Sequence, residues 1–396
     1  MKLAVLGVGT AGLTSLSHCL GYLNENWTVY SISDPSTPIL GIGESTTPAI
    51  PGQLFNGTRF SLLKDAKELD STAKYGVKYV GWRNDDFFST IIPPHYAMHF
   101  NNFKLKEFCF NRFKQLWKDK FVAVESKILS LEDNGNHVSV NLEKESLKFD
   151  YVIDCRGYPE DYSDYIISKS IPVNHCLVHT VNTPGTWDWT YHVAHRNGWM
   201  FGIPLKTRQG WGYLYNDTVT TREDAVADIS ERFNIKPDDL NLREFAFKTY
   251  YAKQVLNNRI LKNGNRALFF EPMEALSGAY YGEIMQMFMS YIDKDISESR
   301  LNRDMFQLAQ DFENFICFVY HGGSTYDSNF WTMAKTNCSN HIQNSIRFQE
   351  FKNKIRTSKP HELTSVANWP PFLASTWLDF DEGLQYNYFT KPQRQT

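Results

Sequence analysis

The sequence contains no run approaching the roughly 20 consecutive apolar residues that a membrane-spanning helix requires. Charge is nearly balanced, with 41 basic and 44 acidic side chains and a net charge of −3. There is no basic stripe or acidic tail, so nucleic acid is not an expected partner. Cysteine is sparse: Cys19, Cys109, Cys155, Cys176, Cys317 and Cys338 are widely scattered with no CxxC. That pattern argues against a zinc or disulfide framework and for buried or free thiols in a reducing cytoplasm. Behind Met1-Lys2, the glycines and Thr10, Thr14, Ser15, Ser17 and His18 break up the apolar stretch that a secretory signal needs. No internal repeat and no clean linker is present. Tyr191-His192-Val193-Ala194-His195 lacks a third ligand, and His18 and His321 stand alone, so no metal site is assigned. No nucleophile elbow supports Ser-His-Asp chemistry. The expectation is one soluble, cytoplasmic unit of 396 residues without metal or membrane association.

What the chain does have is aromatic residues, 15 % of the total, enough to line deep apolar pockets. It also has a βαβ signature at its start. Lys2 to Leu6 is a short apolar run, Gly7-Val8-Gly9-Thr10-Ala11-Gly12 follows, and Leu13, Leu16, Leu20 and Leu23 then share a helical face. Trp27 to Ile32 is β-rich and is closed by Asp34-Pro35. In this context the first glycine makes a tight turn, the second lets a pyrophosphate approach, and the third lets helix and strand pack closely. Asp34 is placed to bind a ribose hydroxyl. Phe121 to Leu131 and His137 to Leu142 are extended runs joined around Asn134-Gly135, a hairpin signal. Phe149 to Asp154 then forms a buried strand entering Cys155-Arg156-Gly157. The predicted fold class is α/β: a Rossmann-like, two-dinucleotide FAD-binding fold. Flavin-binding segments are expected at about 1–50, 120–160 and 255–300, a substrate-side sheet at about 165–250, and a helical, aromatic C-terminal part at about 300–396. The tail aromatics Trp369, Phe372, Trp377, Phe380, Tyr386, Tyr388 and Phe389 would cover the substrate site or a neighbouring subunit in a homo-oligomer.

Four ordered segments carry a more specific message. Gly41-Ile42-Gly43-Glu44-Ser45-Thr46-Thr47-Pro48 is a two-glycine loop with polar contacts. It closely resembles the Gly-x-Gly-Glu-(Ala/Ser)-Thr-x-Pro loop of the flavin-dependent halogenases. Gly198-Trp199-Met200-Phe201-Gly202-Ile203-Pro204 resembles that family's Gly-Trp-x-Trp-x-Ile-Pro signature. Phe270-Glu271-Pro272-Met273-Glu274-Ala275-Leu276-Ser277-Gly278 is similar to its Glu-Pro-Leu-Glu-(Ala/Ser)-Thr-Ser segment. Asp311-Phe312, Tyr320 and Asn329-Phe330-Trp331 resemble its helical Asp-Phe…His-Tyr…Phe-Trp region. The matches span about residues 1 to 335. Two departures bear on substrate. Phe201 replaces the second tryptophan of the signature, and the C-terminal end is short, as in compact members such as those of marine phage. Both point away from a tryptophan-specific site and toward a more open one for varied aromatic compounds.

The resemblance implies a chemistry. Reduced FAD (FADH2) reacts with dioxygen to a C4a-hydroperoxide, and chloride, bromide or iodide attacks it to give hypohalous acid. That acid passes through a tunnel to a lysine, which hydrogen-bonds it or forms a haloamine. By the match this lysine is Lys74. Lys78 is its rival: in one continuous strand both face the same side, so periodicity does not choose. Glu274 is the matched catalytic carboxylate, and Glu271 reads as an exposed or capping residue. Gly7, Gly9, Thr10, Ala11, Gly12, Asp34, Gly43, Glu44, Ser45, Thr46, Asp154 and Gly157 are the implied FAD contacts. Ser277 and Gly278 are the halide donors, and Trp199, Phe201, Ile203 and Pro204 line the tunnel. The implied partners are a separate flavin reductase and a small indole- or phenol-like substrate. An aromatic hydroxylase on the same scaffold and a non-catalytic flavin-fold binding module remain the alternatives.

Overall fold

In the computed structural model, which describes residues 1–39, 41, 44–91, 95–358 and 374–389, the opening βαβ unit forms the centre of a six-stranded sheet. Its order is Leu256–Asn257, Ile260–Lys262, Tyr151–Asp154, Lys2–Leu6, Thr28–Ser33 and Phe121–Glu125. All neighbours are parallel except the Leu256–Asn257 edge. The first strand is buried on both faces, which explains the continuous apolar run at Leu3 to Leu6. The helix Thr10–Tyr22 starts directly after the glycine turn. Gly7 has φ +93°, and a Cβ there would meet the Cys155 carbonyl oxygen at 2.7 Å. A Cβ on Gly12 would meet the Gly7 oxygen at 2.1 Å, so the tight turn and the close helix–strand packing both require glycine.

The Phe121 to Leu131 run is two strands. Phe121–Glu125 completes the parallel sheet, whereas Ile128–Asp133 starts a three-stranded antiparallel insert with Val138–Leu142 and Ser146–Phe149. Its turn closes at Gly135, φ +80°. The insert returns the chain to Tyr151–Asp154 beside the first strand.

A seven-stranded sheet forms the second layer. Its order is Arg243–Ala246, His175–Val181, Gln209–Tyr215, Gly198–Pro204, Thr190–His195, Gly76–Val80 and Phe87–Thr90. One face joins the main core through Trp199, Phe201 and Ile203. The other packs Met200, Trp211 and Tyr213 against Ala225, Val226 and Ile229 of the helix Arg222–Phe233. The helices Leu276–Ile292, Glu298–Tyr320, Asn329–Asn344 and Ile346–Thr357 form the C-terminal part. Asp311 anchors them through a bidentate pair with Arg347, at 2.6 Å on both oxygens. The tail contains a helix, Ala374–Gly383. Trp377, Phe380 and Phe389 are buried, whereas Trp369 and Phe372 lie outside the described residues. All six cysteines are free and buried. No helix among the described residues is long and apolar enough to cross a membrane.

Candidate active site

Lys74 and Lys78 do not share a strand. The chain breaks at Tyr75: Thr72–Lys74 pairs with Ala97–Phe100, while Gly76–Val80 enters the seven-stranded sheet. Lys78 is half-exposed and forms a 2.9 Å ion pair with Asp86. Lys74 is 2 % exposed, and its Nζ donates to the Thr46 carbonyl at 3.0 Å. Burial pulls the Lys74 ammonium down to about 8, against the opposing charge of Glu274. Burial also raises the Glu274 carboxyl, against Lys74 and a hydrogen bond from Tyr79. The Tyr79 hydroxyl donates to Glu274 Oε1 at 2.7 Å. The structure thus brings together the two residues matched to the family's lysine and carboxylate and adds Tyr79, whose register opposite His192 and Phe87 turns its ring into this cluster.

A hydrogen-bonded chain runs from the strand of Lys74, starting at Thr72. Thr72 Oγ1 donates to the Pro204 carbonyl at 2.8 Å and lies 3.1 Å from His99 Nδ1. His99 Nε2 is 2.9 Å from Thr190 Oγ1, which is 2.9 Å from Ser45 Oγ. Burial and then the Lys74 charge hold His99 well below its ordinary range, so it acts as a neutral link in the chain. Thr46 Oγ1 exchanges hydrogen bonds with the Met98 backbone. Thr46, expected at the flavin, holds the lysine through its carbonyl, and Ser45 ends the chain that reaches Thr72.

Glu271 is fully buried, not exposed or capping. Burial pushes its carboxyl up to about 8, although Tyr320 and Trp199 oppose the shift. Tyr320 donates to its Oε2 at 2.7 Å and in turn accepts from the Trp199 indole. Strand alternation divides the expected tunnel set. Trp199, Phe201 and Ile203 face the main core, whereas Pro204 contributes its carbonyl to Thr72. Phe201 lies over Gly212, where a Cβ would come within 2.2 Å of its ring.

On the nucleotide side, the helix Thr10–Tyr22 begins at Gly9 with no side-chain cap, and a Cβ on Gly9 would meet nothing within 4 Å. Its backbone N–H groups thus lack an intramolecular cap at an open position, which fits a diphosphate. Asp34 closes a turn, accepting from the Ser36 amide at 2.8 Å and hydroxyl at 2.6 Å. Burial pushes Glu44 up to about 7, opposed by Arg208 and by a hydrogen bond to Asn102. Asn102 also accepts from Thr10 at 3.3 Å, linking the loop to the glycine turn. Gly43 lies outside the described residues. Asp154 takes both Nε and Nη2 of Arg156 at 2.9 Å, with Arg266 Nε at 3.4 Å. Gly157 (φ +84°) borders an open position.

Ser277 and Gly278 occupy the first turn of Leu276–Ile292, which also has no side-chain cap. Glu274 and Ala275, at φ +54° and +55°, set the entry into that helix. The sequence reading missed Tyr79, His99, Thr190 and Asn102. Of these, Tyr79 lies five residues after Lys74, and the others had no local signal.

The sequence model of the tryptophan halogenase family matches residues 2–127 and 89–376. The chain is 21 % identical to the tryptophan 7-halogenase RebH of Lentzea aerocolonigenes and 22 % identical to the tryptophan 6-halogenase ThaL of Streptomyces albogriseolus. Each match covers 84 % of this chain and 78 % of the relative. The fold superposes on a tryptophan halogenase from Shewanella frigidimarina with TM-score 0.81 and 17 % identity, over 100 % of this chain and 90 % of that one. For BrvH, a flavin-dependent halogenase from Brevundimonas, the TM-score is 0.79 at 15 % identity, over 97 % and 89 %. With the glycine turn, the buried lysine and its carboxylate in one framework, the chain belongs to the tryptophan halogenase family of flavin-dependent enzymes.

Proposed function

We propose that the protein halogenates small indole- or phenol-like compounds using FADH2, dioxygen and halide, with reduced flavin supplied by a separate reductase. The observation that carries this reading is the buried cluster of Lys74, Glu274 and Tyr79. A reduced flavin held here would, with dioxygen as the oxidant, supply the two-electron oxidation that converts halide to hypohalous acid. Gly7, Gly9, Thr10, Ala11 and Gly12 hold its diphosphate, Asp34 its ribose, and Glu44 the inner loop. Asp154 acts through Arg156 and Arg266, which it aligns beside Gly157. Ser277 and Gly278 offer halide the positive end of an uncapped helix.

Lys74 holds the acid. With a pKa near 8 it is mostly an ammonium at neutral pH, a compact donor on a long stem. Its contact with the Thr46 carbonyl leaves two N–H groups to direct at the oxygen of the acid. That hydrogen bonding polarises the O–halogen bond toward the incoming ring carbon, and as the carbon–halogen bond forms the departing hydroxide takes a proton from the Lys74 ammonium and leaves as water. Glu274, held by Tyr79, takes the ring proton as aromaticity returns. Trp199, Phe201 and Ile203 form an apolar wall that keeps water away.

The test supplies reduced FAD, oxygen, each halide in turn and a panel of aromatic compounds. Product masses shifted by the supplied halogen are expected. A shift of one oxygen, independent of halide, would instead assign an aromatic hydroxylase. Phe201 favours that second reading, because its ring is smaller than the tryptophan of the family signature at the same wall position. Flavin binding without any product would assign a binding module.

A further inference from the structure

His192 sits among the residues of this site, yet its ring takes part in none of their hydrogen bonds. It lies in the middle of Thr190–His195, with Tyr79 as its register partner on one side and Phe201 on the other. The residue is 1 % exposed, and among the described residues neither Nδ1 nor Nε2 has a hydrogen-bond partner. The ring stands edge-to-face with Tyr79 at 5.0 Å and with Trp199 at 4.7 Å. Tyr79 spends its hydroxyl on Glu274, and Trp199 its indole N–H on Tyr320. The Trp82 indole is likewise spent, on the His192 carbonyl. His192 alone among these four rings keeps its polar atoms unspent.

A position that needs only packing would carry Phe or Leu, because two unmet ring nitrogens in an apolar setting cost stability. Burial and then the Lys74 charge hold this imidazole well below its ordinary range. It is therefore neutral at working pH and offers one N–H and one lone pair. Its cross-strand partner is Phe201, at the position where the family signature has a second tryptophan. A ring nitrogen missing from one strand is thus present on the next.

We propose that His192 is the hydrogen-bonding contact for the aromatic substrate, its lone-pair nitrogen accepting from the N–H of an indole or the O–H of a phenol. The proposal rests on the halogenase reading for the identity of that substrate. Accepting this hydrogen bond moves electron density into the ring and activates its carbons toward an electrophilic halogen. It also selects arenes bearing an N–H or O–H over plain hydrocarbons.

The test uses the full-length protein without reductant or halide, so that nothing turns over, with phenol, indole and toluene as probes. In protein carrying 15N-histidine, phenol and indole shift the His192 ring signals and toluene does not. His192→Phe keeps a ring and removes both nitrogens. It is expected to weaken phenol and indole binding by about 3- to 10-fold, the range of one hydrogen bond, with toluene affinity unchanged. His192→Gln keeps an acceptor and is expected to restore phenol binding to within about threefold. The proposal is overturned if phenol fails to bind the unmodified protein or leaves the His192 signals unmoved. Unchanged phenol affinity in His192→Phe, or an equal loss for toluene, also overturns it. If His192→Phe does not fold, the ring signals and His192→Gln decide. Binding through His192 without halogenation in the product assay contradicts the proposed function alone. Halogenation with silent His192 signals contradicts this proposal alone.

Discussion

Two buried carboxyls three positions apart, Glu274 and Glu271, receive opposite partners. Glu274 faces the Lys74 ammonium and a tyrosine hydroxyl, whereas Glu271 faces the neutral donors of Tyr320 and Trp199 with no cation among the described residues. Glu271 Oε1 has no hydrogen-bond partner among the described residues. Its folded pKa of about 8 lies above the ordinary 4.5, so the folded state holds a proton that the unfolded state releases above pH 4.5. The sign follows: this contribution to stability is full below pH 4.5 and is lost as pH rises toward 8. Glu271→Gln removes the titration. The variant should lose part of the wild-type decline in denaturation midpoint between pH 5 and 8, and should be the more stable protein at pH 8.5. An unaltered decline would contradict the buried, cation-free environment. For Lys74 the direction of activity is equally fixed. Above pH 8 the ammonium is lost, so the halogenation rate at saturating substrate should fall through that range, as a pH–rate profile would record. None of this environment was legible in the sequence. Glu271 read as an exposed residue because burial comes from Trp199 and Tyr320, 72 and 49 positions away.

At the scale of elements, periodicity recovered what depends on local pattern. The opening strand, glycine turn and helix are legible because a strand buried on both faces reads as an unbroken apolar run and Leu13, Leu16 and Leu20 recur at helical spacing. The choice between Lys74 and Lys78 was not legible, because both have the same parity in a β-like run. Tertiary pairing separates them. Thr72–Lys74 finds its partner at Ala97–Phe100, and Gly76–Val80 at Thr190–His195 and Phe87–Thr90. The matched motifs pointed to Lys74, and it is Lys74 that lies buried beside Glu274 while Lys78 pairs with Asp86. The entry to Leu276–Ile292 offers an element-scale prediction. Ala275 holds φ +55° without glycine's freedom, a conformation costing an L-residue about 1–2 kcal/mol. Part of that relief is offset by the extra unfolded-chain entropy of glycine. Ala275→Gly should therefore stabilise the protein by up to about 1 kcal/mol, read from chemical denaturation. A loss of stability would contradict the left-handed geometry.

The whole molecule is joined at its site by segments far apart in the chain. The tail helix Ala374–Gly383 brings Phe380 against Tyr79 at 5.6 Å and Phe87 at 5.1 Å. Trp377 packs on Phe315 at 4.9 Å and Phe351 at 5.0 Å. Arg83 ties the same region down by donating to the Leu384 and Gly323 carbonyls at 2.6 and 2.9 Å. The tail aromatics showed little periodicity in sequence because their partners lie in the helical region and the second sheet. Trp377→Ala should cost about 3–5 kcal/mol, as expected for removing a large buried aromatic, and denaturant unfolding would measure it. A cost below about 1 kcal/mol would mean that the tail does not close the core. The claim on which all of this bears most directly is that Lys74 handles the oxidised halogen while the flavin chemistry runs apart from it. The decisive measurement follows flavin reoxidation and halogenated product together in the wild type and in Lys74→Ala. Reoxidation should continue at its normal rate while product falls by at least about a hundredfold, the scale of a lost catalytic group. Product formed at the wild-type rate by Lys74→Ala would contradict the assignment.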